Sequence, residues 1–283
     1  MIIDTHCHIQ FKGQDTDREK IITRCRERGV ILNLVGTQKD TSERAVMLAK
    51  EHPDMYASIG THPNHVFPTH IDEEESHFLS REEDFDTEFY EELYNRAPDK
   101  IIGVGECGLD LFHLPPDIPV ETVLNKQKEI FRKHVAFAIK HTIPLVIHVR
   151  DAHEPMIELL KTISLPEQRG TIHCYTGNWE FAQEYLKLGF YLGFTGVITF
   201  PVKKTNPAQQ ESLWEVIRNM PEDRILVETD APYLAPQKYR GEQCEPWMTE
   251  ECVAKIAELR GKNPEEMEQI IFENTKRLFH KIQ

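Results

Sequence analysis

The strongest constraint on the fold of this chain is a rhythm. Short apolar runs alternate with longer stretches of helical periodicity, and the alternation repeats eight times. The strand-like runs lie at 2–3, 30–35, 56–60, 101–105, 144–148, 170–173, 190–194 and 225–228. Between them apolar residues recur at helical spacing, as with Ile21, Ile22 and Cys25, or Ala45, Leu48 and Ala49. Helices are expected at 15–28, 41–52, 87–96, 121–141, around Met156 to Leu160, around Phe181 to Leu186, at 209–220, 249–260 and 264–280. Strands that are apolar on both faces and separated by helices form a parallel sheet covered by those helices. Eight such units with no linker between them predict one closed (β/α)8 barrel over residues 1–283, with an open doubly wound sheet as the runner-up. The rhythm breaks once, at about 66–86, where Asp72-Glu73-Glu74-Glu75 and Glu82-Glu83-Asp84 read as an acidic, solvated loop insertion.

The charge balance limits what such a barrel can bind. Asp and Glu number 47 against 33 Lys and Arg, a formal net charge of −14. Broad, sequence-independent binding of nucleic acid needs many cations to neutralise phosphates, and this composition argues against it. A local patch remains open, and Lys203, Lys204, Lys238 and Arg240 on loops at the barrel mouth are its candidates. The six cysteines form no C-x-x-C pair and no disulfide-like spacing, which points to a reducing cytosol. No basic-then-apolar leader and no long apolar span is present, so the expectation is a cytoplasmic protein without a membrane anchor. Neither a G-x-G-x-x-G turn nor a Walker-type phosphate loop occurs.

The chemistry gathers at the carboxyl ends of the apolar runs, where barrel enzymes build their sites. His6 and His8 follow the first run, two residues apart, so an extended chain points both imidazoles the same way. Glu106 follows the fourth run, His148 ends the fifth, His173 the sixth, and Asp230 comes just after the eighth. Four imidazoles and two carboxylates are too many donors for one tetrahedral catalytic ion and suit two divalent ions. Glu106 is the natural bridge, because its strand lies between the two groups of histidines. Mixed nitrogen and oxygen donors favour Zn, Mn, Fe, Co or Ni over Ca and leave Mg open. Cys7, Cys107 and Cys174 each adjoin a ligand candidate, so alternation should turn them away into packing.

These residues carry a resemblance that spans the chain. Asp4-Thr5-His6-Cys7-His8, Gly60-Thr61-His62-Pro63 and Gly105-Glu106-Cys107-Gly108-Leu109-Asp110 open it. Ile147-His148-Val149-Arg150-Asp151-Ala152, His173-Cys174-Tyr175-Thr176-Gly177 and Glu228-Thr229-Asp230-Ala231-Pro232-Tyr233-Leu234 complete it. In this order they resemble the TatD-type metal-dependent deoxyribonucleases of the amidohydrolase superfamily. The resemblance implies a TIM-type barrel with one ion held by His6, His8, Glu106 and Asp230, and a second by Glu106, His148 and His173. The loops after His65, after Asp110 and around Gln243-Cys244-Glu245-Pro246-Trp247 depart from the family pattern.

The expected activity is hydrolysis of phosphodiesters from a single-stranded 3′ end, since a barrel mouth cannot embrace a duplex. The substrate is then single-stranded DNA, with RNA or tRNA also open. Asp230 would accept the proton of the attacking water. Arg150 would contact phosphate or else pair with Asp151 or Asp110. His62 and His65 would line the cleft or brace its loop. The same centre could instead cleave an ester or amide, including the aminoacyl ester of a D-aminoacyl-tRNA. A non-catalytic metal-binding module fits less well, because the donor set is open rather than closed. The sequence leaves the oligomeric state open.

Overall fold

A computed structural model describes residues 1–68, 70–73, 76–80 and 82–282. Eight parallel strands form a nearly closed barrel: β1 (Ile2–Cys7), β2 (Val30–Val35), β3 (Met55–Ile59), β6 (Ile101–Asp110), β7 (Leu145–Arg150), β8 (Gly170–Ile172), β9 (Tyr191–Phe194) and β10 (Ile225–Val227). Nine α-helices lie among the described residues: α1 (Arg18–Glu27), α2 (Lys39–Glu51), α3 (Thr87–Arg96), α4 (Val120–His141), α5 (His153–Thr162), α6 (Trp179–Lys187), α7 (Pro207–Asn219), α8 (Thr249–Arg260) and α9 (Pro264–Leu278). The helix starts follow capping chemistry. The Asp86 carboxylate accepts from the Phe89 amide at 3.2 Å to open α3, and Asn263 accepts from the Glu265 amide at 2.8 Å with Pro264 in the first turn of α9.

The strands are buried on both faces, as their apolar runs require. One layer packs Leu32, Leu34, Val104 and Ile147 under helix residues such as Ile22, Val46 and Met156. A second cluster gathers Ile3, Ile102, Val146 and Leu226, and since β2 and β3 separate β1 from β6, these side chains meet inside the barrel. Leu278 and Phe279, at the end of α9, join this cluster with Ile282 and plug the barrel's N-terminal mouth. Closure comes late in the chain. His8 N donates to Ala231 O at 2.7 Å and Asp230 N donates to His6 O at 2.8 Å, so the seam is sewn beyond the end of β10. That seam sets His6 and His8 beside Asp230.

Two expectations need correction. The fourth barrel strand does not stop before Glu106 but runs on to Asp110, with its register against β7 shifted between Val104 and Cys107. The acidic insertion is not all loop. It contains an antiparallel hairpin of β4 (His70–Glu73) and β5 (Ser76–Leu79), with His70 opposite Leu79 and Glu73 opposite Ser76. Glu74 and Glu75 lie outside the described residues. Downstream, Glu83 is tied back to the barrel. Its amide donates to His65 O at 2.7 Å, and its carboxylate accepts from Lys39 N at 2.7 Å.

His134 of α4 fixes the loop after β3. Its Nδ1–H donates to Ile130 O at 2.9 Å, so Nε2 accepts from the Thr61 amide at 2.9 Å. Burial lowers its pKa to about 4, partly offset by the Ile130 hydrogen bond. Unfolded histidine titrates near 6.5, so between about pH 6.5 and 4 the unfolded chain binds a proton that folded His134 refuses. Stability should therefore fall as pH drops through this window, with about 1.4 kcal/mol per pH unit coming from this group. Urea unfolding at several pH values should show a shallower loss in His134→Gln than in the wild type. Equal slopes would remove His134 from the account.

Candidate metal centre

Glu106 is the hub of the site. Its Oε2 lies 3.4 Å from His6 Nε2 and 3.9 Å from His8 Nε2. Its Oε1 lies 3.1 Å from His148 Nδ1, 3.3 Å from His62 Nε2 and 3.6 Å from His173 Nε2. Asp230 closes the other side, with Oδ1 3.2 Å from His8 Nε2 and 3.7 Å from His6 Nε2. Three sets of donor atoms each fall within 4.8 Å of one another: His6, His8 and Glu106; His6, His173 and Asp230; His62, Glu106 and His148. Every residue marked as a ligand in the sequence is thus brought to one place. His62, expected to line the cleft or brace its loop, comes as close to Glu106 as the others. His65 is buried at the cavity wall, with its ring 6.2 Å from that of His62.

The outward ring nitrogens show why these imidazoles face inward as donors. The Val35 carbonyl can only accept, so His8 Nδ1 donates to it at 2.7 Å and Nε2 keeps its lone pair for the cleft. His173 Nδ1 meets Glu228 Oε1 at 3.0 Å, which leaves Nε2 facing Glu106. His148 is turned the other way. Its Nε2 meets Asp110 Oδ2 at 3.0 Å, and Nδ1 faces Glu106. The carbonyl or carboxylate behind the His8, His148 and His173 rings is the arrangement that orients metal-bound histidine and raises its basicity. The donor set therefore fits divalent cations.

Electrostatics point the same way. Burial alone would raise the Glu106 pKa, but the surrounding imidazoles, His62 and His6 foremost, hold it well below the ordinary carboxylate range. Asp110 is also buried, yet hydrogen bonds from His113 and His148 keep it far below that range. Burial disfavours charge on His148 and His173, but Asp110 and Glu106 lift the first to about 10 and Glu228 lifts the second to about 9. The carboxylates of the cluster thus stay ionised and favour positive charge among the imidazoles, as bound protons or as a metal ion.

The sequence reading missed Asp110 and Glu228 as orienting groups. A signal existed: Glu106, Gly108 and Asp110 share one strand face, and Glu228 stands two residues before Asp230. One cysteine also needs correction. Cys7 and Cys107 turn into packing, the latter with Sγ 3.5 Å from Val146 O. Cys174 instead lines the cavity, because it lies past the end of β8 at φ +45°, where strand alternation no longer applies.

The cluster forms the floor of a cavity of about 590 Å³ bordered by Phe11, Phe112, Arg150, Tyr233 and His153. Arg150 is the one permanent cation among the described residues that line it. Its guanidinium carbon sits 3.9 Å from the ring centre of Phe112. The expected basic patch does not border the cavity. Lys238 pairs with Glu251 at 2.6 Å, Arg240 stacks 4.7 Å from the Phe200 ring centre, and Lys203 and Lys204 stand exposed outside it.

Comparison with known proteins agrees with this geometry. The family model described as TatD related DNase matches residues 3–280. The chain is 36% identical over 283 residues to the uncharacterized metal-dependent hydrolase YabD of Bacillus subtilis, covering 99% of each. It is 30% identical over 276 residues to the 3'-5' ssDNA/RNA exonuclease TatD of Dickeya dadantii, covering 95% of this chain and 93% of that one. The crystal structure of the TatD homologue YjjV from Escherichia coli superposes with a TM-score of 0.82 at 28% identity, covering 99% of this chain and 98% of that one. The chain belongs to the TatD-related DNase family of metal-dependent hydrolases.

Proposed function

We propose that this chain is a phosphodiesterase that trims single-stranded DNA from a 3′ end, using two divalent ions that share Glu106. The observation that carries the reading is the Glu106 carboxylate, faced by five imidazoles and opposed across His6 and His8 by Asp230. His6, His8 and Asp230 would hold one ion with Glu106. His148 and His173 would hold the other with it, and His62 is within reach of that group. Such ions, when bound, polarise phosphoryl oxygens and acidify a coordinated water.

The protein's own contributions follow from where its side chains sit. Asp230 is less buried than the other donors and opens onto the cavity, the position a carboxylate needs to take the proton of an attacking water. Arg150 reaches the same cavity and would grip a non-bridging phosphate oxygen. His62 beside Glu106 would stand near the departing oxygen. A cavity of this size would take a strand end more readily than a duplex. This supports single-stranded over duplex substrate. RNA ends fit the same walls, and the 3'-5' ssDNA/RNA exonuclease relative supports that breadth. The absence of a helix long and apolar enough to cross a membrane, among the described residues, is compatible with a cytoplasmic setting.

The test is digestion of end-labelled single- and double-stranded oligonucleotides by protein reconstituted with Mg²⁺, Mn²⁺ or Zn²⁺, with D-aminoacyl-tRNA and simple amides in parallel. Stepwise shortening of the single strand from its 3′ end is expected, lost on chelation. Cleavage of the aminoacyl ester or amide with the oligonucleotides left intact would overturn the reading. With one cation at the cavity, salt dependence should be shallow. KM for a short single strand is expected to rise about threefold between about 50 and 200 mM salt, the response of one phosphate contact. A hundredfold rise would reveal a basic track that this cavity does not contain.

A further inference from the structure

The loop leaving β6 carries an aromatic ring in an unusual place. Phe112 is 54% exposed and borders the cavity. The Arg150 guanidinium covers one of its faces. The ring's backbone is anchored: Phe112 N donates to Asp110 Oδ1 at 2.8 Å, and His113 N donates to the same oxygen at 2.9 Å. The other oxygen of Asp110 holds His148 Nε2 at 3.0 Å. One carboxylate thus fixes both a ligand of the metal centre and an exposed aromatic ring beside it.

Charge explains what such a ring would be for. A chain with a net charge of −14 and one cavity cation gains little from phosphates. A single strand must then be held by its bases. An aromatic face supplies that affinity for any base that is unpaired.

We propose that Phe112, backed by Arg150, is the stacking platform for the nucleobase next to the scissile phosphate. The inference rests on the phosphodiesterase reading above and adds a specificity element to it. A base can lie on the ring only if it is unstacked from a complementary strand, so the platform selects strand state rather than sequence. Arg150 acts twice, its cation favouring the ring face and its N–H groups reaching toward phosphate.

The experiment uses the metal-loaded full chain and oligonucleotides with one abasic residue at each of the last two 3′ positions. In the wild type, removing the base from one of these positions should lower kcat/KM about tenfold, the size of one base–aromatic stack. Phe112→Ala and Phe112→Leu should show the same loss on the intact strand and no further loss on the abasic one. Phe112→Trp should retain the base dependence, which separates loss of stacking from loss of folding. If Phe112→Ala and Phe112→Leu slow intact and abasic strands equally, or leave the abasic penalty in place, the platform is wrong. Wild-type hydrolysis of bis(p-nitrophenyl) phosphate distinguishes the two levels. If neither it nor any oligonucleotide is cleaved, the phosphodiesterase reading itself fails and this inference falls with it.

Discussion

Glu106→Gln is expected to cut hydrolytic turnover by on the order of a thousandfold while the barrel stays folded. The amide keeps the volume of the carboxylate, so packing around β6 is unchanged. It removes the one negative charge that His6, His8, His62, His148 and His173 all face. It also places an NH2 group opposite imidazole nitrogens that need an acceptor or a cation. A neutral group with one weak donor oxygen cannot bridge two ions. Turnover of a labelled single strand at saturating metal, with circular dichroism as the control for folding, measures this. A loss of less than tenfold would mean that Glu106 is not shared between ions.

The second large effect lies behind the ligands. Glu228→Gln should weaken metal binding about 10- to 100-fold, the usual consequence of losing the carboxylate behind a metal-bound histidine. Glu228 is fully buried and fully engaged. It accepts from His173 Nδ1 at 3.0 Å, from Thr5 Oγ1 at 3.1 Å and from the Cys174 amide. The His6 ring stacks on His173 at 3.6 Å between centroids, but Glu228 is what fixes its Nδ1. The carboxylate lies against Gly193 of β9, where an added Cβ would approach its Oε2 to 2.6 Å. Gly193→Ala should therefore weaken metal binding in the same direction by pushing Glu228 off His173. Chelator competition on both variants reads the effect. Unchanged affinity in both would reduce Glu228 to a packing role.

The barrel and the residues that gather at its strand ends were legible because each rests on a local pattern. Strands buried on both faces leave continuous apolar runs, and imidazoles at their ends are rare enough to be noticed. What stayed hidden acts through something else. Asp110 and Glu228 touch no proposed ion but hold His148 and His173, and their spacing to Glu106 and Asp230 places them on the site without saying which ring each one orients. The end of β6 was misread for a similar reason. The apolar run stops at Gly105, yet the strand continues through Glu106-Cys107-Gly108 to Asp110. Gly108 stands at φ +150°, and an added Cβ there would lie 1.9 Å from His148 O. Its role is to let β6 and β7 approach closely where both carry site residues. The β4–β5 hairpin hid behind its acidic residues, which dominate any reading based on charge. The expected basic patch does not line the cavity because placing a residue on a mouth loop does not say whether its side chain turns inward: Lys238 turns to Glu251, Arg240 to Phe200, and Lys203 and Lys204 to solvent.

The central claim is that the strand-end cluster holds two ions shared through Glu106. Counting bound metal per chain tests it most directly, by elemental analysis after reconstitution and desalting, with Glu106→Gln in parallel. Two equivalents are expected in the wild type and fewer in the variant. One equivalent in the wild type, or two in both proteins, would contradict it.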